Sequence, residues 1–142
     1  MFSKIAEIKS IREQKSRLSE REKELTEPTL TDLDMIGQLW EWFREIISDR
    51  DCPGRVESAY QRKKFIFIVL FLFAPSVLAG GRMPNGLRDK IAEAIDLKDI
   101  TFISHNIETI VFLRQKDKYF RRDIEYIYTE IVNRLKVEGL IK

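Results

Sequence analysis

The feature that most constrains this chain is an uninterrupted apolar run in its middle, residues 65–74 (Phe-Ile-Phe-Ile-Val-Leu-Phe-Leu-Phe-Ala), preceded by Arg62, Lys63 and Lys64 and followed by Pro75. Its ten residues are about half of the roughly 20 that a helix needs to cross a bilayer. The run also sits mid-chain, where no cleavable signal belongs. A buried helix over about 58–73 is therefore expected. It is apolar almost all round after Lys64 and so central in the packing, with Pro75 ending or kinking it. The β-branched and aromatic residues of the same run are the only strand signal that competes.

The rest of the chain supplies helices to surround it. Residues 1–26 read as a helix of alternating charges with a thin apolar line of Ile5, Ile8, Ile11, Leu18 and Leu25. Ile11, Leu18 and Leu25 are seven apart, as in one seam of a coiled coil, but the other seam position is mostly charged, which suits a solvated arm. Glu27-Pro28 breaks that helix, and Thr31, with Asp32 and Asp34 behind it, predicts a capped restart. Leu33, Ile36, Trp40, Phe43 and Ile47 then form an apolar stripe running to Ser48. Cys52-Pro53-Gly54 punctuates the chain, and residues 80–86 are a loop by their Gly and Pro content. Leu87, Ile91 and Ile95 predict a short helix, and residues 96–99 a tight turn. Beyond it Ile103, Ile107 and Ile110 point to a core, leaving Thr101, Ser104, His105 and Glu108 on the solvent side. A last helix over about 119–135 buries Phe120, Ile124, Ile127, Ile131 and Leu135, with Gly139 at its frayed end. The expected class is all-α: a small helical bundle over 28–142 with an extended charged arm over 1–27. The 142 residues suffice for a core with that arm outside it.

Several function classes drop out on composition. With one cysteine, Cys52, and one histidine, His105, the chain forms no intramolecular disulfide, zinc cluster or redox pair. Cys52 reads as incidental rather than nucleophilic. Asp32/Asp34 and Asp49/Asp51 suit helix ends and turns better than a metal site. Trp40, Trp42 and Phe43 lie on an acidic helix and read as core and surface aromatics rather than a base-stacking platform. The first residues, with Lys4, Glu7, Lys9, Arg12 and Glu13, are no targeting signal. The expectation is a cytoplasmic binding protein with no cofactor, no metal, no catalytic residues, no membrane association and no small-molecule substrate.

The charge is uneven. Residues 1–54 hold nine Lys/Arg against twelve Asp/Glu, whereas residues 55–142 hold sixteen against eleven. A basic half suggests a polyanionic partner. A short helix, a tight turn and a second helix with a polar outer stripe are the parts of a helix-turn-helix, at about 87–113. In such a unit the first turns of the second helix enter the major groove, where Thr101, Ser104 and His105 would reach base edges. Asp99 would cap that helix, whose positive end and free N–H groups could meet a phosphate next to Lys98. Two basic clusters would contact the backbone. One is Arg62, Lys63 and Lys64, with Arg55 nearby; the other is Arg114, Lys116 and Lys118, with Arg121 and Arg122 following.

The stretch over 91–110, Ile-Ala-Glu-Ala-Ile-Asp-Leu-Lys-Asp-Ile-Thr-Phe-Ile-Ser-His-Asn-Ile-Glu-Thr-Ile, resembles the C-terminal DNA-binding domain of the bacterial replication initiator DnaA. Asp99, Thr101 and His105 stand at positions of that family's motif. Ile100 replaces the motif histidine, Phe102 replaces its second threonine, and the loop at 80–86 is longer than usual for the family. The resemblance covers 87–135 best and extends more weakly back to Thr31. It implies double-stranded DNA as partner and a basic loop reaching the minor groove, a role that would fall to Arg55 and Arg62 to Lys64. No Gly-x-x-x-x-Gly-Lys-[Ser/Thr] loop accompanies it. The chain is thus similar to stand-alone versions of the domain carried by phages and mobile elements, which keep the reader and lack the motor. The alternative is a helical assembly protein, such as a small-terminase-like packaging subunit or a virion component, that self-associates through its N-terminal helix.

Overall fold

A computed structural model of the protein describes residues 1–49 and 58–142, and the regular elements within them are all helical. They are α1 (Ser3–Leu25), a 3-10 turn (Leu33–Met35), α2 (Ile36–Asp49), α3 (Ala59–Phe73), α4 (Pro75–Leu78), α5 (Leu87–Ala94), α6 (Thr101–Lys116) and α7 (Lys118–Val137). The all-α class expected from the sequence is the one observed. Asp51, Cys52 and Arg55 lie outside the described residues.

The apolar run is the hub. Helix α3 packs against α2, α4, α6 and α7, and Phe65, Ile66, Ile68, Val69, Leu70 and Leu72 are all buried. A helix covered on almost every side can be apolar almost all round, and this is how the strand-like composition is overridden. Phe67 is half-buried and Phe71 stays exposed. Ser58 opens the helix, its Oγ accepting from the Gln61 N–H at 3.2 Å. Pro75 closes it by starting α4, where the missing N–H costs nothing. No helix among the described residues is long and apolar enough to cross a membrane.

Around α3 the amphipathic helices behave as their periodicity demands. α2 buries Ile36, Trp40, Phe43 and Ile47, and also Leu39, Trp42 and Ile46, a broader face than one stripe. Both tryptophans are therefore core. Trp40 stacks on Phe43 at 5.4 Å and meets Phe65 edge-on at 4.9 Å. The side chain that caps the start of this segment is Asp32 and not Thr31: its carboxylate accepts from the Asp34 N–H at 3.0 Å, setting the 3-10 turn ahead of α2. α7 buries all five residues expected of it. It ends in a Schellman closure rather than a frayed end, with Gly139 at φ 73° and the Leu140 N–H donating to the Leu135 carbonyl.

α1 stands apart: none of its residues is buried. The chain joins the bundle just beyond it, where the N–H groups of Thr29 and Leu30 both donate to the Leu72 carbonyl at the end of α3, at 2.8 and 3.0 Å.

Candidate nucleic-acid interface

The expected two-helix unit is built from α5, the turn at 96–99 and α6. α5 is short and rests on α2, burying Leu87, Ile91 and Ala92. It closes as α7 does, with the Leu97 N–H donating to the Ala92 carbonyl at 2.8 Å and the Asp96 N–H to that of Glu93 at 3.3 Å. Here the left-handed residue of the closure is Asp96, at φ 52°, in place of the usual glycine. That left-handed step turns the chain sharply toward α6.

α6 is held by Ile103 and Ile110, both fully buried against α3 and α7, with Ile107 half-buried between them. Fixing that face leaves Thr101, Ser104, His105 and Glu108 exposed, as the periodicity requires. The stripe then continues into Phe112, which is exposed and apolar. From Thr101 to Arg114 the helix runs about 20 Å, and Arg114, Lys116 and Lys118 are exposed at its far end. Lys98 is exposed at the near end. The structure thus brings Lys98, Thr101, Ser104 and His105 to one end of α6 and Arg114, Lys116 and Lys118 to the other.

Asp99 does cap α6, though in a way that removes one expected contact. Its carboxylate accepts from the Thr101 N–H at 3.0 Å and from the Thr101 hydroxyl. Its carbonyl takes the Phe102 N–H, and that of Ile100 takes the Ile103 N–H. The first-turn donors are occupied and a carboxylate sits among them, so the anticipated phosphate seat on free N–H groups is absent. The hydroxyl and then the backbone N–H of Thr101 hold the Asp99 carboxyl below the usual carboxylate range.

A larger correction concerns Arg62, Lys63 and Lys64, which do not form an exposed basic patch. Lys64 is 1% exposed. Its ammonium pairs with the Asp123 carboxylate at 2.8 Å and lies 4.4 Å from the centre of the Tyr60 ring. Arg62 donates from Nη2 to the Ile95 carbonyl at 3.3 Å, tying α3 to the end of α5. Lys63 is half-buried. The Tyr60 hydroxyl donates to Asp117 at 3.1 Å, while Asp117 caps α7 by accepting from the N–H groups of Tyr119 and Phe120. Burial, followed by the Asp117 hydrogen bond and the nearby carboxylates, pushes the Tyr60 phenol up to about 12. The Phe120 N–H is the largest of several influences holding the Asp117 carboxyl low. The basic start of α3 is therefore a fastener that joins it to α5 and to the head of α7.

One residue at the candidate interface escaped the sequence reading. Arg88, half-buried on α5, donates to the Ser104 hydroxyl at 2.9 Å and brings a guanidinium beside the polar stripe. No local pattern distinguishes it from any other surface arginine, because its partner belongs to the next helix. In the second cluster, Arg121 donates to the Gln115 carbonyl at 3.3 Å, and Lys118 and Arg122 both lie over the Tyr119 ring. Comparison with protein-family models, curated proteins and solved structures gives no match to this chain.

Proposed function

We propose that the protein binds double-stranded DNA with α5, the turn at 96–99 and α6 acting as a helix-turn-helix, as a binding protein without a catalytic step. The observation that supports this most is the exposed set Thr101, Ser104 and His105 on the first turns of a helix whose opposite face is locked by Ile103 and Ile110. Short polar side chains on a rigid helix are what base edges in a major groove require. Arg88 and Lys98 supply positive charge beside that set, and Arg114, Lys116 and Lys118 supply it about 20 Å farther along. The resemblance of residues 91–110 to the DnaA reader domain points the same way, to a cytoplasmic reader serving replication, transcription control or a mobile element.

The test is fluorescence anisotropy on labelled random duplex DNA across a salt series, comparing the wild type with the triple variant Arg114→Ala, Lys116→Ala, Lys118→Ala. Each lost phosphate contact flattens the log–log salt slope by about 0.9, so a clear flattening is expected in the variant. Wild-type protein that does not bind at low salt, or an unchanged slope, would sink the proposal.

A second reading, a helical assembly protein that self-associates through α1, is favoured by the complete exposure of that helix. The two readings are compatible, since a small reader gains affinity and specificity by binding as more than one copy. They differ on the polar stripe, which an assembly protein would tolerate losing.

A further inference from the structure

We infer that α1 pairs with α1 of a second copy of this chain in an antiparallel orientation. This rests on the self-association reading of the arm and is independent of DNA binding.

The apolar line of α1 is left in solvent, with Ile5, Ile8, Ile11, Leu18 and Leu25 between 43% and 70% exposed. A helix of 23 residues that buries nothing gets no tertiary support, and most helical stability in proteins comes from packing one face. Ile8, Ile11, Lys15, Leu18, Glu22 and Leu25 alternate three and four residues apart, so they share one seam of the helix. Four of the six are aliphatic; the orientation of a partner decides what the lysine and the glutamate meet.

In a parallel, in-register pair every layer faces its own copy. Lys15 then meets Lys15 and Glu22 meets Glu22, two layers of like charge. An antiparallel pair that sets Ile8 against Leu25 also sets Lys15 against Leu18 of the second copy. The lysine stem lies along that leucine, and its ammonium is one helical turn from Glu22 of the second copy, a contact the two-fold axis makes twice.

The charges outside the seam point the same way. Residues 1–17 carry five Lys/Arg against Glu7 and Glu13, while residues 18–27 carry Arg21 and Lys23 against four glutamates. Arg21 pairs with Glu24 inside the helix. A lone helix is helped by acids at its start and bases at its end. α1 has no acidic residue in its first turn, and apart from Lys23 in its last turn its C-terminal part is largely acidic, so most of its charge runs against the helix dipole. Laid antiparallel on a second copy, each basic half covers an acidic half.

Sedimentation equilibrium on the full chain should show a dimer. Lys15→Glu and Glu22→Lys should each weaken it on the order of five-fold, and the two together should restore it. Because α1 buries nothing, these changes leave the bundle's folding intact. Orientation is read by disulfide trapping in a Cys52→Ser background. Ile8→Cys chains mixed with Leu25→Cys chains should cross-link to each other, whereas neither should cross-link well alone. Efficient trapping of Ile8→Cys with itself would overturn the antiparallel pairing while leaving self-association standing. A chain that stays monomeric, or a dimer that survives deletion of residues 1–26, would overturn both.

Discussion

Two basic clusters look alike in the sequence and have opposite fates in the structure. Arg62, Lys63 and Lys64 open α3, and Arg114, Lys116 and Lys118 bracket the junction of α6 and α7. In the first, the charge is turned inward: Lys64 is sealed against Asp123 and Tyr60, and Arg62 ends on a backbone carbonyl. In the second, all three side chains remain exposed. The difference lies in what each cluster faces. The start of α3 is covered by α7, which carries Asp123 and is capped by Asp117, whereas Arg114, Lys116 and Lys118 flank Asp117 with their side chains left in solvent. A basic run reports available charge; only the neighbouring helix decides whether that charge is spent inside the fold or offered to a partner.

The sharpest way to break this comparison is Lys64→Ala. Removing one member of a buried ion pair typically costs about 3–5 kcal/mol. Asp123 keeps some access to water, with 15% of its side chain exposed, so a loss of roughly 3 kcal/mol is expected. Urea denaturation measures it. A stable Lys64→Ala protein that had lost only DNA affinity would return Lys64 to the interface. Tyr60→Phe is a milder cut through the same fastener. It deletes the hydrogen bond to Asp117 and should cost at most about 1 kcal/mol, since the ring is partly exposed. The Tyr60 phenol is raised to about 12 in the folded protein, above its ordinary value near 10. Its contribution is therefore complete below about pH 10 and is lost as pH rises toward 12. The Tyr60→Phe protein should lack that part of the alkaline decline.

These residues also mark where sequence reasoning stops. The faces of α2 and α7 were legible because their apolar residues recur at helical spacing, and α3 because Arg62 to Lys64 and then Pro75 bound a run too short for a membrane. The role of Lys64 was not legible. Its partner is 59 residues away, and a periodicity argument treats a charge beside an apolar run as the boundary of burial. Arg88 was missed for the same reason, its acceptor Ser104 lying across the turn. Asp96 hid the left-handed closure of α5, since glycine is the usual signal for that conformation. The exposed stripe of α6 was legible because it is the complement of Ile103 and Ile110. The occupied N–H groups at its start were not, because Asp99 fits equally well as a cap or as a neighbour of a phosphate site.

The carboxylate caps give a smaller effect that bears on both clusters, since Asp99 heads the proposed reading helix and Asp117 ties α7 to the fastener. Both carboxyls titrate below the ordinary range in the folded protein. In acid the unfolded chain then binds more protons than the folded one, so stability falls with pH. The contribution is present above the unfolded value, near 4, and is lost as pH drops through the lower folded values. Urea midpoints followed from pH 6 to 2 should decline, and the decline should flatten in Asp99→Asn and again in Asp117→Asn. An unchanged profile in both variants would remove the caps from the account.

The smallest expected effect on stability is the most telling. Arg114→Ala, Lys116→Ala and Lys118→Ala remove exposed side chains, and substitutions of that kind usually stay within about 0.5 kcal/mol each. Lys118 and Arg122 share the Tyr119 ring, so the loss of one cation–π contact should be partly covered by the other. A fold indifferent to this cluster has no structural need for so much like charge in one place, where mutual repulsion is a cost that a partner's negative charge would offset. The decisive pattern is reciprocal. Lys64→Ala should change the denaturation midpoint and leave the salt slope of the remaining folded protein unchanged, whereas the triple variant should leave the midpoint in place and flatten the slope. If the triple variant unfolds the protein instead, the second cluster is a fastener like the first, and the distinction between inward and outward charge no longer supports a DNA-facing side of α6.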